Sequence, residues 1–389
     1  MFSSLARLGL RRWLPAVLAL VCMDLMMGCA ARPESGFLAT TAYEAPSATE
    51  HTILIASTRE RDARPGTLYS GFRADWLDYA SATMSVPPTH VDGKIEWPQT
   101  PPGDPRRDFA VRDAGYIDGD RAFLATVNAE LAKRPPGHRK IFLFVHGFNT
   151  MFAEALYGFT QVVHDAHTDH VPVLFTWASR GKLTDYLYDN NSATAARDQL
   201  AHTIRLLTDS NAEEVNILAH SMGNWVFVEA MRQIKMQGGL KHPEKIGLVL
   251  LAAPDIDIDV FKSDLRAYGK LKKPYYIVLS KDDKALALSK FLAGGQTRVG
   301  DDGNVQDLAK LGAVVIDLTN VHGDDPTDHN KYAQIAAIAP QLEHVLQSGI
   351  EKNHVATSDA ADQMTSTLGA VVSVPVNIMG NSFSIVSSR

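Results

Sequence analysis

Short apolar runs separated by amphipathic stretches dominate the chain from residue 141 onward. The runs cover residues 141–145, 172–176, 215–218, 246–251, 275–279 and 313–318, and each is too short for a buried helix and rich in Val, Ile, Leu and Phe. Between them lie helical stretches at 151–167, 192–208, 224–236, 260–268 and 285–292, with a last helix at 333–346. In the third of these, Phe227, Ala230, Met231 and Ile234 fall at i, i+3, i+4 and i+7 and mark one buried face. Strands that are apolar throughout, alternating with amphipathic helices, predict a mainly parallel central sheet with helices on both faces.

Upstream the pattern is weaker. Residues 52–56 are the first convincing strand and the charged 58–62 read as a turn, while the many prolines and glycines of 87–107 predict loop. The Ser-, Thr- and Ala-rich tail, 349–389, is expected to be poorly ordered, although 371–378 can dock as an edge strand. One α/β domain over residues 51–348 accounts for the pattern.

Composition removes several function classes. With 45% hydrophobic residues the chain can bury a large core, and its formal charge of −6 gives nucleic-acid binding no electrostatic support. The only cysteines, Cys22 and Cys29, lie in the first thirty residues, so no disulfide framework is available. Arg7, Arg11 and Arg12 followed by the short apolar stretch 13–23 describe a secretory signal. Met26-Met27-Gly28-Cys29 resembles a bacterial lipobox, which makes residues 1–29 a signal peptide and Cys29 a lipidated first mature residue; cleavage near Ala30 or Ala31 is the alternative. The Ala30 that follows favours, by resemblance, the outer membrane facing the periplasm. Residues 30–50, rich in Ala, Ser, Thr, Pro and Glu, then form a flexible tether.

The chemistry centres on Ala219-His220-Ser221-Met222-Gly223, which joins an apolar strand to an amphipathic helix. A serine at such an apex is exposed to a substrate and free to give its proton to a base. A capping serine would look the same locally, so partners decide the matter. Sites in open α/β sheets form after the carboxyl ends of strands. After the strand at 141–145 comes His146-Gly147-Phe148, where Gly147 permits a tight turn that aims the Phe148 amide beside that of Met222, as an oxyanion hole requires. His146 and His220 read as structural. The acid should follow a later strand: Asp283 is the leading candidate, with Asp282 and Asp255 as alternatives. In the chain order Ser, Asp, His the base comes last: His329 leads and His322 is the alternative. No histidine pair has the spacing of a zinc protease helix, so neither metal nor cofactor is expected.

Together, His146-Gly147-Phe148-Asn149, Trp177-Ala178-Ser179, residues 219–224, residues 280–286 and the early Ala56-Ser57-Thr58-Arg59 resemble the bacterial α/β-hydrolase-fold family of esterase/lipase-like proteins, a domain of unknown function, over residues 52–348. Ala219 replaces the usual first glycine of the elbow, Ala178 a frequent proline, and residues 328–332 a Gly-His-Ser-x-Tyr-like segment. The resemblance implies acyl transfer from a small-molecule or lipid ester through an acyl-enzyme on Ser221. A non-catalytic, surface-anchored binding protein and an acyltransferase are the competing readings.

Overall fold

A strand covered on both faces needs apolar side chains at every position, and the centre of this fold is built from such strands. The computed structural model describes residues 32–269, 271–292, 295–302, 305–319, 329, 377–380 and 383–384. In chain order the strands are β1 (Thr49–Asp62), β2 (Leu68–Val86), β3 (Ala110–Ile117), β4 (Lys140–Val145), β5 (Val171–Thr176), β6 (Glu214–His220), β7 (Ile246–Ala252), β8 (Tyr275–Leu279), β9 (Ala313–Asp317), β10 (Asn377–Gly380) and β11 (Phe383–Ser384). They form one sheet in the order β11-β10-β9-β8-β7-β6-β4-β5-β1-β2-β3. It is parallel from β9 to β1, with antiparallel β2 and β3 at one edge and β10 and β11 at the other.

The helices are α1 (Gly119–Ala132), α2 (Phe152–Asp165), α3 (Tyr186–Thr208), α4 (Gly223–Met236), α5 (Ile258–Tyr268) and α6 (Lys284–Leu292), with short helical turns at Val299–Asp302 and Val305–Lys310. Alternate residues of one strand feed two cores. Leu54 and Ala56 of β1 pack with Phe123, Leu200 and Phe227 from α1, α3 and α4. Ile53 and Ile55 pack with Leu156 and Phe159 from α2 on the other face. The parallel sheet covered on both sides is as the pattern predicts.

Three differences bear on the site. Residues 58–62 are not a turn: they continue β1, pairing Arg59 with Arg73 and Arg61 with Tyr69 of β2. Charged side chains hid the strand, because Arg59 finds enough acceptors to be buried at 1% exposure. The first part of the chain carries β2, β3 and α1, which the sequence reading passed over. In α1 the signal was present, since the buried Phe123, Val127 and Leu131 recur every fourth residue. Finally, residues 36–43 do not act as a loose tether. Leu38 is buried, its amide donates to the Gly66 carbonyl (2.9 Å), the Tyr157 hydroxyl donates to the Phe37 carbonyl (2.7 Å), and Arg112 holds the Tyr43 carbonyl.

On the far side β10 pairs antiparallel with β9, Ile378 opposite Ile316, and with β11 beyond it; of the predicted 371–378 edge strand only residues 377 and 378 are described, and they lie in β10, inside the edge. The predicted helix at 333–346 lies outside the described residues, as do Cys29 with the signal segment and His322. No helix of the described residues is long and apolar enough to cross a membrane.

Candidate active site

The turn between β6 and α4 puts Ser221 in the left-handed region, with φ of 53°. A non-glycine residue there is strained and persists only where its surroundings hold it. Here the Ser221 amide donates to the Ala252 carbonyl (2.9 Å), while the Ser221 carbonyl accepts from the amides of Asn224 (3.1 Å) and Asp255 (3.2 Å) and from Asn224 Nδ2 (2.9 Å). Two glycines make room. A Cβ on Gly223 would lie 2.4 Å from the His146 carbonyl oxygen, and one on Gly147 would lie 2.7 Å from Ser221 Cβ. Ala219, by contrast, sits fully buried at the end of β6 opposite Val145 of β4, so the methyl that replaces the usual first glycine is accommodated.

After β4 the chain turns through His146 to Thr150, with Asn149 also left-handed at φ 56°. His146 is buried and stacked on Trp177, 5.2 Å between ring centroids. Its Nδ1 lies 2.9 Å from the Gly147 carbonyl, while Nε2 lies 2.9 Å from Thr176 Oγ1 and accepts from the Trp177 amide (3.2 Å). Burial, then the Arg59 charge, push its pKa down to about 3, so the ring is neutral, with Nδ1–H the donor. Its two ring nitrogens are thus committed to contacts within the fold. Among the described residues, the amides of Phe148 and Met222 donate to no acceptor, so both remain available to a ligand.

Arg59, from the end of β1, ties this loop to its neighbours. Nε donates to Thr176 Oγ1 (2.8 Å), Nη1 to the carbonyls of Ser179 (2.8 Å) and Ser70 (3.2 Å), and Nη2 to the Thr150 carbonyl (2.9 Å) and toward His146 Nε2 (3.3 Å). Burial lowers its pKa to about 10, which leaves it charged at neutral pH, and Asp189 is the leading opposing charge. Asp189, at the start of α3 and fully buried, accepts from the Asn149 amide (3.2 Å), Ser179 Oγ (2.5 Å) and the Arg180 amide (3.0 Å). Sequence reasoning gave neither residue a role. Arg59 was visible only as part of a motif, and no local signal marked Asp189.

Asp283 and His329, 46 positions apart in the chain, are in contact. Asp283 follows β8, is 3% exposed, caps α6 by accepting from the Leu286 amide (2.9 Å), and places Oδ2 2.6 Å from His329 Nδ1. Asp282 instead accepts from Ser280 Oγ. Asp255 is buried and committed elsewhere: Oδ1 accepts from Ser289 Oγ (2.5 Å) and lies 3.2 Å from Arg298 Nε, off the axis of a hydrogen bond. Ser289 and Arg298 both reach the Tyr186 hydroxyl (3.1 and 3.3 Å). Burial raises the pKa of Asp255, with Arg298 opposing.

His220 departs from the sequence reading, which turned its side chain away from the apex. Its ring packs on that of His329, 4.6 Å between centroids and tilted by 53°. Burial first, and the neighbouring His329 second, hold its pKa well below the usual imidazole range.

A parallel sheet with a strained serine between strand and helix, and an aspartate–histidine pair after later strands, defines an α/β hydrolase. Residues 120–346 match the family described as "Alpha/beta hydrolase of unknown function (DUF900)", and the chain belongs to that family. Among solved structures it is similar to a chain from a structural analysis of two fungal esterases from Rhizomucor miehei, at 13% identity, covering 78% of this chain and 86% of that one, with a TM-score of 0.32. No curated protein matches.

Proposed function

We propose that the protein is a serine hydrolase acting on carboxylic esters. The observation that carries this reading is the 2.6 Å contact of Asp283 with His329, whose ring lies against the residue preceding the strained Ser221. Ser221 Oγ bonds to the ester carbonyl carbon as His329 Nε2 takes its proton, and the amides of Phe148 and Met222 hold the oxyanion. The C–O bond to the alcohol breaks and His329 returns the proton to the leaving oxygen. Water, deprotonated by the same histidine, then cleaves the acyl-enzyme and frees the acid. Asp283 holds the imidazole with Nδ1–H toward itself and stabilises the imidazolium.

A fluorophosphonate probe on the purified chain tests this reading, with Ser221→Ala as control. Labelling that vanishes in the variant, with turnover of a short-chain nitrophenyl ester, supports it. Failure of the folded wild type to label favours the binding-protein reading, and acyl transfer to an added alcohol that outruns hydrolysis favours the acyltransferase. The same proposal has the chain anchored through lipid on Cys29 at the outer membrane, facing the periplasm. Support comes from the lipobox-like 26–29 segment, and metabolic labelling with palmitate, absent in Cys29→Ser, is its test.

A further inference from the structure

A second group of chemically capable side chains lies at the other end of α2, whose fourteen residues carry the chain about 20 Å from the oxyanion loop. There the loop after β2 folds against the helix and brings His90, Asp92 and Glu96 to Asp165. The His90 side chain is 4% exposed, with Nδ1 2.7 Å from Glu96 Oε2 and Nε2 2.8 Å from Asp165 Oδ1. Asp165 is wholly buried, and its other oxygen accepts from the Gly93 amide (2.7 Å) and from Gln161 Nε2. Glu96 is fixed in turn by the Val91 amide (3.1 Å).

We propose that His90, Asp92 and Asp165 form a site for a divalent cation of the Zn2+ class, which clamps the loop after β2 to α2. Three observations carry this. One potential ligand atom from each of the three residues lies within 4.8 Å of the others, close enough for modest side-chain movement to bring them to distances of about 2 Å from one ion. The carboxylate of Glu96 behind Nδ1 is the arrangement that fixes the imidazole tautomer and turns the Nε2 lone pair toward a metal. Among the described residues no lysine or arginine pairs with Asp92, Glu96 or Asp165, so the groups facing these three carboxylates are the imidazoles of His90 and His164. A divalent cation would take the place of the proton between Nε2 and Asp165 Oδ1 and add positive charge among the carboxylates, the displaced proton going to solvent. One nitrogen and two oxygens suit a borderline ion, with the remaining positions left to water. The ring of His164, edge-on to His90 at 5.1 Å between centroids, closes one side.

The test is calorimetric titration of the chelator-treated full chain with ZnCl2, alongside His90→Gln, Asp92→Asn and Glu96→Gln. Wild type is expected to bind one ion saturably. Affinity should fall at least tenfold in His90→Gln and Asp92→Asn, and about ten- to a hundredfold in Glu96→Gln. A hundredfold excess of Zn2+ over Kd should raise the thermal midpoint by about 5 °C. Asp92 is exposed, so its variant decides the matter should His90→Gln not fold. Absence of saturable binding up to 1 mM Zn2+ (a ceiling of about −4 kcal/mol), or wild-type affinity in folded His90→Gln or in Asp92→Asn, overturns the proposal. None of these readouts depends on hydrolysis.

Discussion

Asp283 Oδ2 and His329 Nδ1 lie 2.6 Å apart although 46 residues separate them in the chain. Each end is held independently of the other: the other oxygen of Asp283 caps a helix, and the face of His329 rests on His220. The imidazole is thereby oriented before any substrate arrives.

Replacing that carboxylate by an amide keeps the shape and loses the orientation. Asp283→Asn should lower kcat by about 10³–10⁴ with an unchanged far-ultraviolet spectrum. Asp282→Asn should stay within a few-fold of wild type. Steady-state kinetics on one ester separates the two, and an equal loss in Asp282→Asn would remove Asp283 from its assigned role.

The elbow makes a steric prediction. At Gly223 a methyl meets carbonyl oxygens of His146 at 2.4 Å and Val145 at 2.5 Å, both backbone atoms with nowhere to go. Gly223→Ala should cost more than about 2 kcal/mol or abolish folding. Gly158, inside α2 with open space around it, is the contrast: Gly158→Ala should stabilise by about 0.5–1 kcal/mol. Urea denaturation of the pair reads both signs.

Arg59 links β1, the Ser179 segment and the oxyanion loop through one planar fork. Arg59→Met removes the fork and leaves Asp189 without its counter-charge, an outcome expected to cost roughly 3–5 kcal/mol. Arg59→Lys keeps the charge but cannot reach the same acceptors, so it should fall between Met and wild type. Chemical denaturation, with the rate of fluorophosphonate labelling, measures both.

Asp264 of α5 tests electrostatics away from the site. Burial, then Glu229, raise its pKa to about 6 against a partly opposing Arg232. The folded protein therefore holds this proton more tightly than the unfolded chain, and stability falls as pH rises from about 4 to about 6. Above that window the cost is complete. Asp264→Asn should stabilise the protein by roughly 1–3 kcal/mol at pH 7.5 and by little at pH 4. An equal gain at both values would assign the effect to packing.

The central strands and the positions of Ser221 and Asp283 just after two of them were legible because apolar runs and strand-end turns are local properties. What the sequence concealed was long-range. Arg59 looked like part of an exposed charged turn, since nothing nearby foretells that Thr176, Ser179 and Thr150 supply its acceptors. β2 was missed for a related reason: its first half is half-buried or exposed apart from Tyr69 and lacks the uninterrupted apolar character of the parallel strands. Choosing between Asp282 and Asp283 likewise needed coordinates, because adjacent residues share every sequence signal and differ only in which one faces His329.

Neutral His146 and His220 have one more consequence, for kinetics. Two of the three imidazoles gathered around the elbow are kept from protonation across the range in which esterases are assayed. Neither ring can then add an ionisation of its own to the acid half of a pH–rate profile, and an extra imidazole limb there would mean that one of the buried rings had come loose.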